Sequence, residues 1–289
     1  ASDYLSNPKK GKITSMADEI AEFERQLQKD ITSLDTNSID YKIKLKLIEE
    51  RAGLKNQLLK NIHAKGITMQ EYVKYCGTIS QVDPVTQKLI TQAATDVHQK
   101  AIIAEPSISS LMKSLETDGV HLTGFDHRFK SVDSIGRKVT NLLKGSTDPD
   151  DIVKYAAKVN DNLRYTLILD EINYTDQMYT RLKKLLDEGY EIIGMNNSWG
   201  NAAYQGLNVS MLAPEGVRVE VQFHTDASFE AKETLSHSFY EIKRSALADQ
   251  ADRDIAGQIQ ILDQSITVKT IDDLVGIPWK DIAEKAKTY

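Results

Sequence analysis

Val217-Arg-Val-Glu-Val-Gln-Phe223 alternates strictly between apolar and polar side chains. Successive side chains of a strand point to opposite faces, so Val217, Val219, Val221 and Phe223 share one face and Arg218, Glu220 and Gln222 the other. A chain carrying such a segment must set a half-buried strand into a sheet whose apolar side is covered by another layer. Neighbouring segments keep to that plan. Leu163-Arg-Tyr-Thr-Leu-Ile-Leu169 is rich in β-formers. Glu191 to Met195 and Gly206 to Leu212 read as two more strands, and Pro214-Glu215-Gly216 marks a hairpin turn before the alternating one. Tyr174 to Glu188 is an amphipathic helix ended by Gly189. The connections after Gly189 are short, so the later strands are expected to be neighbours with an antiparallel pair.

The N-terminal part has a different period. Ile20, Phe23, Leu27, Ile31 and Leu34 recur at three- and four-residue steps, as one helix face does. A second helix is predicted from Asp40 toward Gly66 on the stripe Ile43, Leu47, Leu54, Leu58 and Ile62. Asp83-Pro84 pairs an N-cap with a proline at the first helical position, opening a helix that carries Leu89, Ile90, Ala93 and Val97. Pro106 to Leu115 reads as a separate short helix stopped by Gly119, and Gly124-Phe-Asp-His-Arg-Phe-Lys130 as a cationic loop. Helices are also predicted over Ser131–Leu143, from Asp148-Pro149 to Lys158, over Ala227–Arg244 and over Ala251–Ile261, with Ile271 to Tyr289 following. The expected fold is α/β (α+β), a mixed β-sheet flanked by helices with an added N-terminal helical lobe. The expected division is a helical lobe over 1–104, a sheet domain over 105–245 and a helical tail over 246–289.

Composition narrows the function classes. The chain has 289 residues, 40% of them apolar, as a globular protein does. No apolar run approaches the length of a membrane-spanning helix, and no membrane partner is expected. Ala1-Ser-Asp-Tyr-Leu5 lacks the apolar stretch of a secretory signal, and an opening without Met suits a fragment or a processed product. Cys76 is the single cysteine, which rules out an internal disulfide and suits a cytoplasmic site of action, although an exported toxin would look the same. The formal charge of −6 argues against a broad nucleic-acid face but not against a local basic pocket. The six histidines and one cysteine show no zinc spacing, and no Walker A, Rossmann or nucleophile-elbow signature is present.

Four places carry chemistry. Arg128 and Lys130 lie two apart, a spacing that puts both on one side of an extended backbone ahead of a helix start. Arg offers a planar fork and Lys a point charge, which together suit an oligophosphate. Ser131 and Ser134 add hydroxyls, and Lys138 follows Ser134 by one turn on the same helix face. A solvated basic loop competes with that reading. Asp161, at the start of the strand beginning at Leu163, stands where open α/β sheets bind ligands. It could take Mg²⁺ with phosphates and water completing the shell, or be a turn residue of Asn160-Asp161-Asn162. Glu220 lies on the polar strand face, which a merely wet sheet surface would also explain. Tyr204 offers a ring on which a base could stack, a contact worth roughly 1–3 kcal/mol per base, or a ring facing the core.

Arg128-x-Lys130-x-x-x-Ser134-Ile135-x-x-Lys138 resembles, position by position, the ATP-holding segment of RelA/SpoT-type (p)ppNpp synthetases. Val219-Glu-Val-Gln-Phe-His-Thr225 is similar to that family's Glu-Ile-Gln-Ile-Arg-Thr strand, and Ala203-Tyr-Gln-Gly-Leu-Asn208 to its Gly-Tyr-Gln-Ser-Leu-His. The resemblance covers about 105–245. Gly124-Phe-Asp-His-Arg-Phe-Lys-Ser131, Leu163-Arg-Tyr-Thr166 and Gln222-Phe-His-Thr-x-x-Ser-Phe-Glu-Ala-Lys-Glu233 look most like the branch found in bacterial and phage-borne polymorphic toxins. Some positions depart. Thr166 stands where the family has an arginine, with Arg164 two residues earlier. His224 replaces an arginine, Asn208 a histidine, and the loop 195–203 has no Lys or Arg where guanine-nucleotide synthetases carry basic residues. His237 and Tyr240 resemble the family's His-Trp-x-Tyr segment weakly.

The resemblance implies a pyrophosphokinase and alarmone-type toxin or effector. ATP would be held by Arg128, Lys130, Ser131, Ser134 and Lys138, and Mg²⁺ by Asp161 and Glu220. Glu220, Asp161, Arg128 and Lys130 would be the catalytic set. The acceptor would stack on Tyr204, with Gln222 and His224 near its phosphate or ribose. The acceptor could be an adenine nucleotide, a guanine nucleotide or an RNA 3′ end. An immunity or antitoxin protein would be a partner, and delivery into a target cell without a signal peptide a route. The alternative is a catalytically inactive nucleotide-sensing or partner-binding protein on the same fold.

Overall fold

A computed structural model describes residues 15–78 and 82–289, so Ala1–Leu5, where no secretory signal is expected, lies outside the described residues. In chain order the helices and strands are α1 (Met16–Thr32), α2 (Tyr41–His63), α3 (Met69–Cys76), α4 (Pro84–Ser114), β1 (His121–Thr123), α5 (Val132–Leu143) and α6 (Pro149–Ala157). They continue with β2 (Leu163–Ile168), α7 (Tyr174–Asp187), β3 (Glu191–Asn197), β4 (Leu207–Leu212), β5 (Arg218–His224), α8 (Asp226–Glu230), α9 (His237–Arg244), α10 (Gln250–Thr267) and α11 (Trp279–Thr288). Their contacts group the described residues into two units. A helical unit holds 15–78, Asn201–Gln205 and Ala227–Lys269, and a sheet unit holds 82–200, Gly206–Asp226 and Thr270–Tyr289.

In the sheet unit the strands run in the order β1-β2-β5-β4-β3. β2 and β5 are parallel, and the other neighbours are antiparallel. This is the expected mixed sheet flanked by helices. The alternation predicted for β5 is realised: Val219, Val221 and Phe223 are fully buried, as are Leu163 and Leu167 of β2 and Val209 and Met211 of β4. Each such side chain taken from water stabilises the fold by roughly 1.5–3 kcal/mol. The opposite face carries Arg164, Thr166, Glu220, Gln222, Asn208 and Ser210 at matching register positions. Gly216 makes the predicted hairpin turn between β4 and β5 in a left-handed conformation, with its N–H on the Ala213 carbonyl at 2.8 Å.

α4 opens as predicted, with Asp83 accepting from the Thr86 N–H at 2.9 Å and Pro84 in the first turn. It does not end before Pro106, which lies inside it. The expected separate helix from Pro106 is therefore the last part of one long helix. Proline removes one N–H from the ladder, but burial of Ala101, Ala104, Ile108 and Met112 on either side holds the turns together. α4 packs against α5 and α6 through Ile90, Ala94, Ile135, Val139, Ile152 and Ala156.

The helical unit is built on Leu58, Ile62, Tyr72, Phe239, Ile242, Ala256 and Ile259. The stripe predicted for the second helix supplies the first two. Glu19 of α1 accepts from the Met69 and Gln70 N–H groups at 2.7 and 3.0 Å and so caps α3. Arg51 pairs in the interior with Asp263 at 3.1 Å and with Asp30. The helix expected over Ala227–Arg244 is interrupted: a π-helical stretch over Ala231–Leu235 and a break at Ser236 separate α8 from α9. Ser236 donates instead to Asp263 at 2.8 Å, a tertiary bond that a helical period does not reveal.

Candidate active site

The site lies on the polar face of the sheet unit where β2 starts beside β5. Residues 128–130 run against the start of β2. The Lys130 N–H donates to the Asn162 carbonyl at 3.0 Å, and the Arg164 N–H to the Arg128 carbonyl at 2.8 Å. Phe129 forms an antiparallel bridge with Leu163. This short ladder fixes the cationic loop against the strand that bears Asp161 at its head.

Asp161 is almost fully buried. Its Oδ2 lies 2.9 Å from Lys130 Nζ and 3.0 Å from Arg164 Nη2, and its Oδ1 lies 2.9 Å from Lys138 Nζ. Burial opposes its charge, but Lys130 and Lys138 outweigh burial and hold the carboxyl well below the usual carboxylate range. Burial in turn pushes the Lys130 ammonium below its ordinary value, against the pull of Asp161. Asp161 is thus the hub on which three cations converge, rather than a turn residue. Lys138 reaches it because α5 starts at Ser131, whose Oγ accepts from the Ser134 N–H at 3.1 Å. Ser131 also donates to Ser134 Oγ at 2.9 Å, and Arg137 donates to the same oxygen at 3.0 Å. Ser131, the cap, is exposed at the helix start, and Ser134 is half-buried.

Arg128 departs from the expectation that it shares a face with Lys130. It closes a short 3₁₀ turn in a helical conformation. Its Nε donates to Glu105 of α4 at 2.6 Å, and its guanidinium lies over the rings of Phe125 at 4.2 Å and Phe129 at 5.0 Å. Ser109 donates to the same Glu105 oxygen, at 2.7 Å. Burial resists the charge on Glu105, and Ser109 and Arg128 overcome it and lower its pKa. The two cations answer to different carboxylates because Arg128 has left the extended geometry that the two-residue spacing assumes.

Glu220 sits beside Arg164 in the parallel register of β2 and β5. Arg164 Nε lies 3.2 Å from Glu220 Oε1, so one guanidinium reaches both Asp161 and Glu220. Gln222 donates to Glu220 Oε1 and accepts from Thr166 at 3.4 Å. Thr166 thus anchors Gln222, while Arg164 supplies the positive charge. This bridging role was not readable from the sequence, because it depends on which strand lies beside β2.

His224 ends β5 fully buried, and Gln222 is nearly so. A Cβ at Gly206 would stand 2.5 Å from His224 Cε1, so Gly206 is required there by the close approach of the imidazole. His224 therefore packs inside the sheet unit with its ring against Gly206. Tyr204 is partly buried in a loop of the helical unit, where Asn201 Oδ1 accepts from the Ala203 and Tyr204 N–H groups at 2.9 and 3.3 Å. In the loop before it, Trp199 donates through Nε1 to the Tyr174 hydroxyl at 3.1 Å.

Among the described residues no group of three or more His, Cys, Asp or Glu side chains could hold a metal ion alone. The two carboxylates that share Arg164 nonetheless fit Mg²⁺, which takes one or two protein carboxylates and leaves the rest of its shell to phosphate oxygens and water.

No family model matches the chain, and no curated protein does. Solved structures with a related architecture include the complex of the type VI effector Tas1 with its immunity protein. That match has 17% identity, covers 65% of this chain and 98% of that one, and has a TM-score of 0.43. They also include smu.1046c from Streptococcus mutans UA159, at 17% identity over 68% of this chain and 97% of that one, with a TM-score of 0.36.

Proposed function

We propose that this chain is an ATP-dependent pyrophosphokinase that moves the β,γ-pyrophosphate of ATP to the 3′-hydroxyl of a nucleotide acceptor and releases AMP. The observation that supports it best is the meeting of Lys130, Lys138 and Arg164 on buried Asp161, with Glu220 at the adjoining register position. Segments far apart in the sequence, each similar to a RelA/SpoT motif, contribute to one polar sheet face.

An incoming triphosphate competes with Asp161 for the ammonium groups of Lys130 and Lys138, and Arg128 stands close by in the chain. Ser131 and Ser134 offer hydroxyls at the helix start. Asp161 and Glu220 are the residues that would hold Mg²⁺, which when bound neutralises charge on the donor phosphates. Glu220 is suited to accept the proton of the acceptor hydroxyl. Such a site works by positioning and charge stabilisation, and alignment alone can supply roughly 7–11 kcal/mol of the barrier reduction. Tyr204 remains our candidate ring for the acceptor base.

The loop 195–203 carries no Lys or Arg. On that ground adenine nucleotides should serve as acceptors at least as well as guanine nucleotides, and an RNA 3′ end is the third possibility. The likeness of 124–131, 163–166 and 222–233 to the toxin branch supports action as a toxin or effector inside a target cell. An immunity protein would be its partner. The burial of His224 and Gln222 favours one other reading, a nucleotide sensor without turnover.

The test is ATP with equal AMP/ADP, GMP/GDP or tRNA, following AMP release and the labelled product. Release of AMP with labelled adenine products is the expected result. Labelling of guanine products alone would overturn the acceptor argument, and absence of AMP release with every acceptor would leave the sensor.

A further inference from the structure

Among the described residues, Arg164 is the side chain that reaches both carboxylates assigned to the metal. Its Nη2 lies 3.0 Å from Asp161 Oδ2 and its Nε 3.2 Å from Glu220 Oε1. The guanidinium edge thus spans the gap between the two acids, with a little under half of the side chain exposed. Two carboxylates that share one guanidinium repel each other when that cation is taken away. Here the protein supplies that cation itself.

A divalent ion coordinated by both carboxylates needs the same space and the same lone pairs. It cannot share them with a guanidinium, because the two positive charges would repel at contact distance. Lys130 and Lys138 share Asp161 with Arg164, and in the proposed reaction these ammonium groups pass to the triphosphate. The Arg164 side chain is partly exposed on the polar sheet face, where the proposed donor phosphates would lie.

We infer, resting on the pyrophosphokinase reading, that Arg164 is a built-in stand-in for the divalent cation, holding Asp161 and Glu220 together without nucleotide and moving to a phosphate when the metal enters. Metal alone then binds poorly, because it must expel a paired guanidinium into water. Metal with nucleotide binds well, because the expelled guanidinium gains a phosphate. The two ligands are coupled through one side chain, and by linkage each raises the affinity of the other by the same factor. Arg164 is a positioning residue in this account.

Mn²⁺ alone is the probe, with free ion read by electron paramagnetic resonance in the absence of nucleotide. Arg164→Gln should tighten Mn²⁺ binding about tenfold or more relative to the unmodified chain, a change of about 1.4 kcal/mol. Arg164→Lys, which keeps a charge at the place, should tighten it much less. Adding Asp161→Asn to Arg164→Gln should abolish the gain. With a non-hydrolysable ATP analogue, Mn²⁺ affinity should rise more in the unmodified chain than in Arg164→Gln. Circular dichroism establishes that each variant is folded, and if Arg164→Gln is not, the nucleotide-dependent gain is compared between the unmodified chain and Arg164→Lys. Equal Mn²⁺ affinities in all three proteins, with AMP release intact in the unmodified chain, would overturn this inference and leave the enzymatic reading standing. No Mn²⁺ binding with or without the analogue, together with no AMP release, would remove both.

Discussion

Asp161 and Glu220 are both carboxylates on Arg164, but their surroundings give them different work. Asp161 is buried under three cations, so its replacement by Asn strands them. Breaking a buried pair costs 3–5 kcal/mol, and about 3 kcal/mol is expected here because Lys138 and Arg164 keep contact with water. Glu220 is partly exposed, with Arg164 and Gln222 beside it. Glu220→Gln should therefore fold normally, bind ATP and lose transfer. Calorimetry with ATP and an AMP-release assay on the same preparation separate the two acids, and near-normal AMP release from Glu220→Gln would end the metal and base assignment. Lys130→Ala should weaken ATP affinity and turnover together, since a charge-assisted phosphate contact is removed. Residue identity and spacing picked out Lys130, Lys138, Asp161 and Glu220, and the structure brings the two lysines onto Asp161 and links Asp161 to Glu220 through Arg164. Identity and spacing did not show that Arg128 turns to a different carboxylate from Lys130, because its aromatic neighbours Phe125 and Phe129 and its partner Glu105 belong to tertiary packing.

At the scale of elements, period and punctuation carried most of the fold. The alternation of Val217–Phe223, the turn at Gly216, the helix start at Ser131 and the Asp83-Pro84 start all reappear in the structure. What was missed is what period cannot encode. β1 has only three residues and exists because it pairs with Thr166, Leu167 and Ile168. Pro106 reads as a helix boundary by local rules, and packing on both sides overrides it. Ser236 breaks a helical period by bonding Asp263. The loop-to-strand junction at Gly206 provides a test at this scale. A methyl group there would collide with the ring of fully buried His224. Gly206→Ala should cost roughly 1–3 kcal/mol, as overpacking does. Thermal unfolding measures that loss, and paired Gly206→Ala/His224→Ala should recover part of it. An unchanged midpoint in the single variant would show that the contact is relieved without cost.

For the whole molecule, charge linkage decides where the fold is most stable. His237 ordinarily titrates near 6.5, and burial lowers its pKa despite the opposing pull of Glu241 and Glu233. A lowered folded value means that stability is complete above the unfolded pKa and is lost as pH falls below it. Asp161 and Glu105 are lowered too, from 3.8 and 4.5, so their contributions persist to lower pH and fail only below those values. Tyr165 is pushed by burial up to about 12, which favours its neutral form. That contribution is complete below pH 10 and is lost as pH rises toward the folded value. Acid therefore acts in two steps, histidine first and carboxylates later, and the alkaline limit lies far from neutrality. Urea midpoints should be level between about pH 7.5 and 9.5, fall by about pH 5, and fall again below pH 4. Gln at 237 cannot titrate, so His237→Gln should flatten the first step while leaving the second. If the variant and the unmodified chain lose the same stability between about pH 7.5 and 5, the first step belongs to other groups.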